Sequence, residues 1–252
     1  MDVAAGLIAR EVDQNGWQPN DPWFYPTALT DNAANFQSGM MWAISRLTVE
    51  LTDHVGRLGT VGRIDDDLQR AMGLLQYPGD VWVLDLRSLL PAPSEAQYRS
   101  GRDSLLNYNK RVAQGTAVFD ARADNLAALL NRIARDMGAE SESIEKRVAQ
   151  SSFVISRSAD DLFYQIKGAV YAYAVLFKAL EADFAQVITD ARVQTLWTAT
   201  QQALDDAASL RPLIVLDAPA DGSVFANHLA AEGYYILRAK ARLLDLVGAL
   251  QV

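Results

Sequence analysis

The sequence contains no cysteine. Structural disulfides, thiolate nucleophiles and cysteine-ligated zinc are thereby excluded, while the absence is compatible with an oxidising compartment and with the cytosol alike. Histidine, the commonest acid–base and metal-binding side chain, occurs only at His54 and His228. Neither has a glutamate three residues before it (Leu51 and Phe225 stand there), so the Glu-x-x-His pairs of carboxylate-bridged metal bundles are missing. There is no H-E-x-x-H and no G-x-S-x-G. The glycine-rich GRLGTVGR (Gly56–Arg63) is not followed by the lysine of a phosphate-binding loop and reads as a flexible connector. Asp65–Asp67 lacks the alternating ligands of a calcium loop and reads as an acidic helix start. No cofactor and no metal is expected. Lysine and arginine form no cluster, and the net charge is −8, so nucleic acid is not an expected partner. Long hydrophobic runs are missing too. Gly168–Phe177, the longest charge-free apolar stretch associated with a helix, is about half a membrane span. The start MDVAAGLIAREVD has no basic beginning and no long apolar region, and reads as a helix rather than a signal peptide.

What is present is helical periodicity. Half of the 252 residues are apolar, and they recur at three–four spacing through most of the chain. The spacing predicts helices over 2–14, from Asn32 to about Val55, over 64–75, from Ser94 toward Gly138 with a break near Gly115, over 141–150, from near Asp160 to Ile188, over 194–210, and from Val224 to Leu250. Asp31 is a good N-cap for the second of these, and Ser94 with Gln97 forms a capping box. Extended segments are expected only at Val81–Leu86 and Leu213–Asp217. The expected architecture is therefore all-α: a single multi-helix bundle with long antiparallel helices and at most two very short strands.

Three predicted helices carry a glycine inside an apolar run: FQSGMMWA (Phe36–Ala43), QIKGAVYA (Gln165–Ala172) and AEGYYILR (Ala231–Arg238). A mid-helix glycine costs about 1 kcal/mol against alanine. Close approach of another backbone offsets that cost, so Gly39, Gly168 and Gly233 are expected to be buried at helix crossings. Aligning Asp31 with Asp160 also superposes Gly39 on Gly168, Ala43 on Ala172, Leu47 on Leu176 and Leu51 on Leu180. A pseudo-repeat of two halves, about 1–138 and 139–252, would produce this echo; so would convergent helix packing.

Two constellations carry candidate chemistry. Asp160, Tyr164, Lys167, Tyr171 and Lys178 share one helix face, with Lys167 embedded in FYQIKGAVYAYA. They make either a polar-aromatic ligand pocket or a face on which Lys167 pairs with a carboxylate across helices. The second constellation is WQPNDPWFYP (Trp17–Pro26), with Trp17, Asn20, Asp21, Trp23, Phe24 and Tyr25. Its proline density rules out a regular element. The segment is either a lid over one end of the core or the wall of a binding groove. His228 reads as a cap-region residue or as a binding residue. His54, four residues after Glu50, is placed to make an i,i+4 pair near a helix C-terminus.

Several segments resemble one known family. REVDQNGWQPNDPWFYP (Arg10–Pro26), DNAANFQSGMMWAISRLTVELTDHVGR (Asp31–Arg57), LLQYPGDVWVLD (Leu74–Asp85), SEAQYRSGRDSLLNYNKRVAQGTAVFDARADNL (Ser94–Leu126) and NHLAAEGYYILRAKA (Asn227–Ala241) are similar to an uncharacterised proteobacterial family, the domain of unknown function twenty-three thirty-three. The family has no established activity, so no catalytic residue is carried over. Its members typically have an N-terminal membrane anchor, which implies the periplasmic side of the inner membrane; a cytoplasmic location stays open. This sequence departs from that pattern, since it begins at the first soluble helix. The functional expectation is a non-enzymatic cell-envelope binding or scaffolding module with a protein partner. The alternative is a small-molecule-binding protein or enzyme using the pocket around Tyr164, Lys167 and Tyr171.

Overall fold

The computed structural model describes residues 1–22, 31–54, 57–58, 63–82, 92–149, 157–210 and 228–251, with backbone alone for Asp31, Arg57, Leu58, Arg63, Arg157, Ser158 and His228. Most of these residues are helical. In chain order the elements are α1 (Asp2–Ala9), a π-helical turn (Arg10–Gln14), α2 (Asp31–His54), β1 (Arg57–Leu58), β2 (Arg63–Ile64), α3 (Asp66–Leu75), α4 (Ser94–Ala113), α5 (Ala123–Ala149), α6 (Arg157–Asp183), α7 (Ala185–Asp190), α8 (Gln194–Ala208) and α9 (His228–Leu250). None of the described helices is long and apolar enough to cross a membrane.

The helix boundaries follow local chemistry. Gly16 and Gly115 adopt positive φ (74° and 71°), so the chain turns there without the Cβ strain another residue would meet. Asp65 caps α3 by accepting from the Asp67 and Leu68 N–H groups. The capping box expected at Ser94 is not formed. Pro93 precedes α4, and the Ser94 side chain makes no cap bond. The Ser94 hydroxyl instead donates to the Pro78 carbonyl (2.8 Å) and accepts from Val81 N–H (3.1 Å), because its complete burial places it against the 78–81 turn rather than over its own helix end. Gly138 does not end a helix either. α5 runs through it to Ala149, with Lys240 of α9 lying over the missing side chain.

Among the described residues, the extended pairing lies where none was expected. Val81 and Trp82 are not in a strand, and residues 83–86 and 213–217 lie outside the described residues. The pairing that is seen, Arg57 with Ile64 and Leu58 with Arg63, is a minimal antiparallel ladder inside the stretch read as a connector. A ladder of four residues is too short to leave an alternating pattern in the sequence.

The centre of the molecule is the crossing of α2 and α6. Asn35 meets Asp161, Phe36 meets Tyr171 and Trp42 meets Tyr173, so positions rise together and the two helices run parallel. A methyl group at Gly39 would overlap the Gln165 carbonyl, 2.7 Å from its carbon. One at Gly168 would overlap the Phe36 carbonyl, 2.8 Å from its carbon. Phe36 and Gln165 are themselves equivalent in the alignment that superposes Gly39 on Gly168. The crossing is thus locally two-fold, each glycine seated on the same site of the other helix. Ala43 and Ala172, one turn on, are fully buried in the same seam. Gly233 is different: its neighbour is the Ile144 side chain at 3.3 Å, not a backbone.

α5 and α9 form a second pair. Gly233 opposes Ile144 and Lys240 opposes Gly138, so these helices run antiparallel. One hydrophobic cluster links the layers, with Trp197 of α8 stacked on Phe177 of α6 at 4.1 Å. A buried polar node ties them as well. Asp136 of α5 accepts from Tyr173 Oη (2.6 Å), Arg132 Nη2 (2.8 Å) and Arg46 Nη2 (3.2 Å). The α2, α5 and α6 helices are thereby pinned at one carboxylate.

Candidate functional site

An open groove of about 700 Å³ lies where the π-helical turn, α2 and α6 come together. Its wall includes Arg10, Glu11, Gln18, Asn32, Phe36, Gln37, Tyr164, Lys167 and Tyr171. Its geometry originates in the widened turn. Asn15 N–H bonds to the Arg10 carbonyl, five residues back, at 2.9 Å. π-turns are rare and recur at functional sites. Here the extra residue lets two consecutive charged side chains, Arg10 and Glu11, both face α2 and α6 rather than splay apart.

Glu11 is 3% exposed and completely engaged. Arg10 Nε donates to its Oε1 (2.6 Å), and Asn15 Nδ2 (3.1 Å) and Gln37 Nε2 (3.2 Å) donate to its Oε2. Gln37 also holds the chain leaving the turn, donating to the Gly16 carbonyl at 2.8 Å and accepting from Gln18 N–H at 2.9 Å. The guanidinium of Arg10 is held on its other side. Nη1 donates to Tyr171 Oη at 2.6 Å, the guanidinium carbon lies 4.9 Å from the Tyr171 ring centroid, and Nη2 reaches the weakly accepting Met40 sulfur at 3.4 Å. Burial works against the Arg10 charge, but the bonds to Tyr171 and Glu11 outweigh it and hold its pKa above the usual value. The result is a cation fixed in orientation, with its side chain still 31% exposed at the groove.

The α6 wall is aromatic and basic. Lys167 Nζ lies 5.7 Å and 5.9 Å from the ring centroids of Tyr164 and Phe163. Burial and the charge of Asp160 push the Tyr164 hydroxyl up, against a hydrogen bond from Asn32 that favours its anion. Behind this wall sits Glu232 of α9, 1% exposed. Burial drives its pKa well above the carboxylate range, the Lys167 charge opposes the shift, and Glu140 adds to it. Glu140 itself is pushed up to about 7 by burial and by Asp136. Two acceptors in the groove wall, Gln18 Oε1 and Asn32 Oδ1, are buried and receive no hydrogen bond.

The expected site residues thus divide. Tyr164, Lys167 and Tyr171 are brought together on one wall of the groove. Trp17 and Asn20 are structural. Trp17 is buried, donates to the Gly79 carbonyl (2.8 Å) and packs edge-on against Tyr98 at 4.9 Å. Asn20 is buried too, and donates to the Val81 carbonyl (3.0 Å) and to Glu95 (2.8 Å). Both clamp their loop to α4, as a lid does. Asp21 N–H bonds to the Gln18 carbonyl within that loop. Trp23, Phe24 and Tyr25 lie outside the described residues, as does the His228 side chain at the start of α9. His54 makes its i,i+4 contact with Glu50 at 3.2 Å on an exposed helix end, away from the groove. Asp160 and Lys178 do not line the groove. Among the described residues no group of three or more His, Asp or Glu side chains is placed to hold a metal ion.

Sequence reasoning missed Arg10, Glu11 and Gln37. Arg10 and Glu11 stood on the polar side of what read as one regular helix, and nothing in a period of 3.6 signals a π-turn. The adjacent charged pair directly ahead of an Asn-Gly stop was the one available hint.

A second cleft, of about 520 Å³, opens between α2 and the Tyr77–Asp80 turn, walled by Trp17, Trp42, Tyr77 and Tyr98. Its cation, Arg46, is engaged with Asp136 and stacked on Trp42.

The family described as an uncharacterized protein conserved in bacteria, DUF2333, matches the chain over residues 7–157 and 156–252. The chain belongs to this family. No curated protein and no solved structure shows significant similarity to this DUF2333 chain. The groove of this DUF2333 member is therefore interpreted from its own geometry.

Proposed function

We propose that the chain is a non-enzymatic binding module of the bacterial cell envelope that holds a small polar ligand in the groove between the π-turn, α2 and α6. One observation carries the reading: Arg10 is oriented by Glu11 and Tyr171 while part of its guanidinium remains open to the groove. A surface arginine in a structural role has no need of a buried carboxylate, an aromatic platform and a π-turn to fix it. Pre-organisation of this kind lowers the entropic cost of seating a ligand. Binding is favoured over turnover because the groove's carboxylate is buried and held by three donors, and a guanidinium keeps its proton near neutral pH and so is no acid or base there. The envelope placement rests on the resemblance to a family whose members carry an N-terminal anchor. The protein-scaffold reading has one feature in its favour: Tyr234, Leu237 and Leu244 are exposed along one face of α9.

The test is thermal unfolding of the purified chain against a library of small polar metabolites, with amide chemical-shift mapping of each stabilising compound. A compound that raises Tm and shifts the resonances of Phe36, Gln37 and Tyr171 supports the reading. If no compound does so and the chain retains a specific protein from envelope extract through α9, the groove is not the binding site and the scaffold reading replaces it.

A further inference from the structure

The groove's polar groups specify the chemistry of what it holds, and this inference rests on the binding role proposed above. Among the described lining side chains there are two cations, Arg10 and Lys167, against one anion, Glu11, in a chain whose net charge is −8. Glu11 is withheld from a ligand, because it is buried and three protein donors converge on it. Arg10 has five N–H groups in a planar fork. One points at Glu11, one at Tyr171 and one at the Met40 sulfur. Among the described residues, that leaves two N–H groups without an acceptor and a third on a weak one. On the same wall, Gln18 Oε1 and Asn32 Oδ1 lack donors. The buried amide oxygens are closed to the groove, so the missing complement is an anion for the fork.

We infer that the groove binds a small carboxylate, its carboxyl group seated on the N–H groups of Arg10 that the described residues leave unbonded. A planar monoanion suits the fork by shape. It also suits the site by charge, since a dianion such as phosphate would meet more repulsion from the Glu11 carboxylate behind the fork. Phe36 and Tyr171, whose ring centroids are 5.7 Å apart, form an aromatic wall beside Arg10 for the remainder of the ligand. Amino acids or short peptides with a free C-terminus have this chemistry, and so do sugar acids.

Isothermal titration separates these sources and tests the inference. The probes for wild-type protein are alanyl-alanine and glucuronate, the amide of each, in which only the carboxylate charge is removed, and inorganic phosphate. The expected result is saturable binding of at least one free acid, with its amide at least tenfold weaker and phosphate weaker still. The acid that binds identifies the source, peptide or sugar. In Arg10→Lys, which keeps a charge for Glu11 but loses the fork, affinity for the acid falls about tenfold or more. Because substitution at Arg10 can unsettle Glu11, the acid-against-amide comparison on the unaltered protein decides alone. Equal affinity of acid and amide, tighter binding of phosphate, or no binding of either acid overturns the inference. If a neutral library compound still shifts Phe36 and Tyr171, the groove remains a binding site and only its carboxylate specificity is lost; silence in both experiments removes both.

Discussion

Replacing Gly168 by alanine adds one methyl group to a helix, and in most helices this stabilises by about 1 kcal/mol. Here the sign should reverse. The new methyl would lie 2.8 Å from the Phe36 carbonyl carbon and 3.0 Å from Met40 N. Both are backbone atoms inside α2, so neither can rotate away. The clash is relieved only by moving α2 and α6 apart, which loosens a seam containing Met40, Ala43, Ile44, Ala172 and Leu176, all buried. Overpacking against side chains costs about 1–3 kcal/mol, and a rigid backbone belongs at or above the upper end. After the propensity gain is subtracted, a net loss of about 2–4 kcal/mol remains. For a chain of this size that lowers Tm by about 4–16 °C. Gly73→Ala and Gly248→Ala provide the controls, since nothing lies within 4 Å of a methyl at either position. They should match or exceed wild type. Combining Gly39→Ala with Gly168→Ala should cost less than the sum of the two, because the first substitution already separates the helices. Circular-dichroism melts of wild type and the five variants, Gly39→Ala alone included, measure all of this. A Gly168→Ala protein as stable as the Gly73→Ala control would refute the backbone-contact argument.

Other expectations follow from the buried polar groups. Asp136→Ala leaves two arginines and a tyrosine without their shared acceptor and should cost about 3–5 kcal/mol, whereas Tyr173→Phe should cost about 1.5–3 kcal/mol; urea unfolding with equal m-values measures both. Asp65→Ala removes the α3 cap and the acceptor of Arg111 Nη2 at 2.5 Å, so a loss of about 2–3 kcal/mol is expected in the same assay. Glu140 and Glu232 have folded pKa values raised above the ordinary carboxylate value, Glu140 to about 7. The folded state therefore holds protons that the unfolded state has released. This contribution is intact below the ordinary carboxylate pKa and is lost as pH rises toward and past 7. Tm should fall between pH 5 and pH 8, and Glu232→Gln and Glu140→Gln should each flatten that slope; parallel profiles for both variants and wild type would contradict the assignment.

What was legible in the sequence was what regular periodicity and steric cost report. Gly39 and Gly168 stood out because an alanine there would have been preferred on propensity, and the structure supplies the backbone that forbids it. Gly233 carried the same signal but meets only an Ile144 methyl group, so the pattern alone did not distinguish a backbone neighbour from a side chain. Gly138 illustrates the limit of glycine as punctuation: α5 continues through it because α9 packs along its whole length. The Ser94 motif matched a capping box but is buried against the 78–81 turn, where tertiary partners compete successfully for its hydroxyl. On the candidate site, Tyr164, Lys167 and Tyr171 were visible as one face of α6. Arg10 and Glu11 were not, since their placement depends on a π-turn and on Gln37, contacts that cross the sequence at long range. A carboxylate across helices from Lys167 was among the expectations, but that Glu232 of α9 is the one whose charge it feels was not legible, for the same reason.

The most direct measurement for the groove is side-chain NMR of Arg10. The resonance of its Nε–H, bonded to Glu11, should be sharp and protected from exchange in the free protein. It should shift on saturation with a library ligand, together with Phe36 and Tyr171. A ligand that saturates the protein while the Arg10 and Tyr171 signals stay in place, and resonances of α9 move instead, would contradict the account.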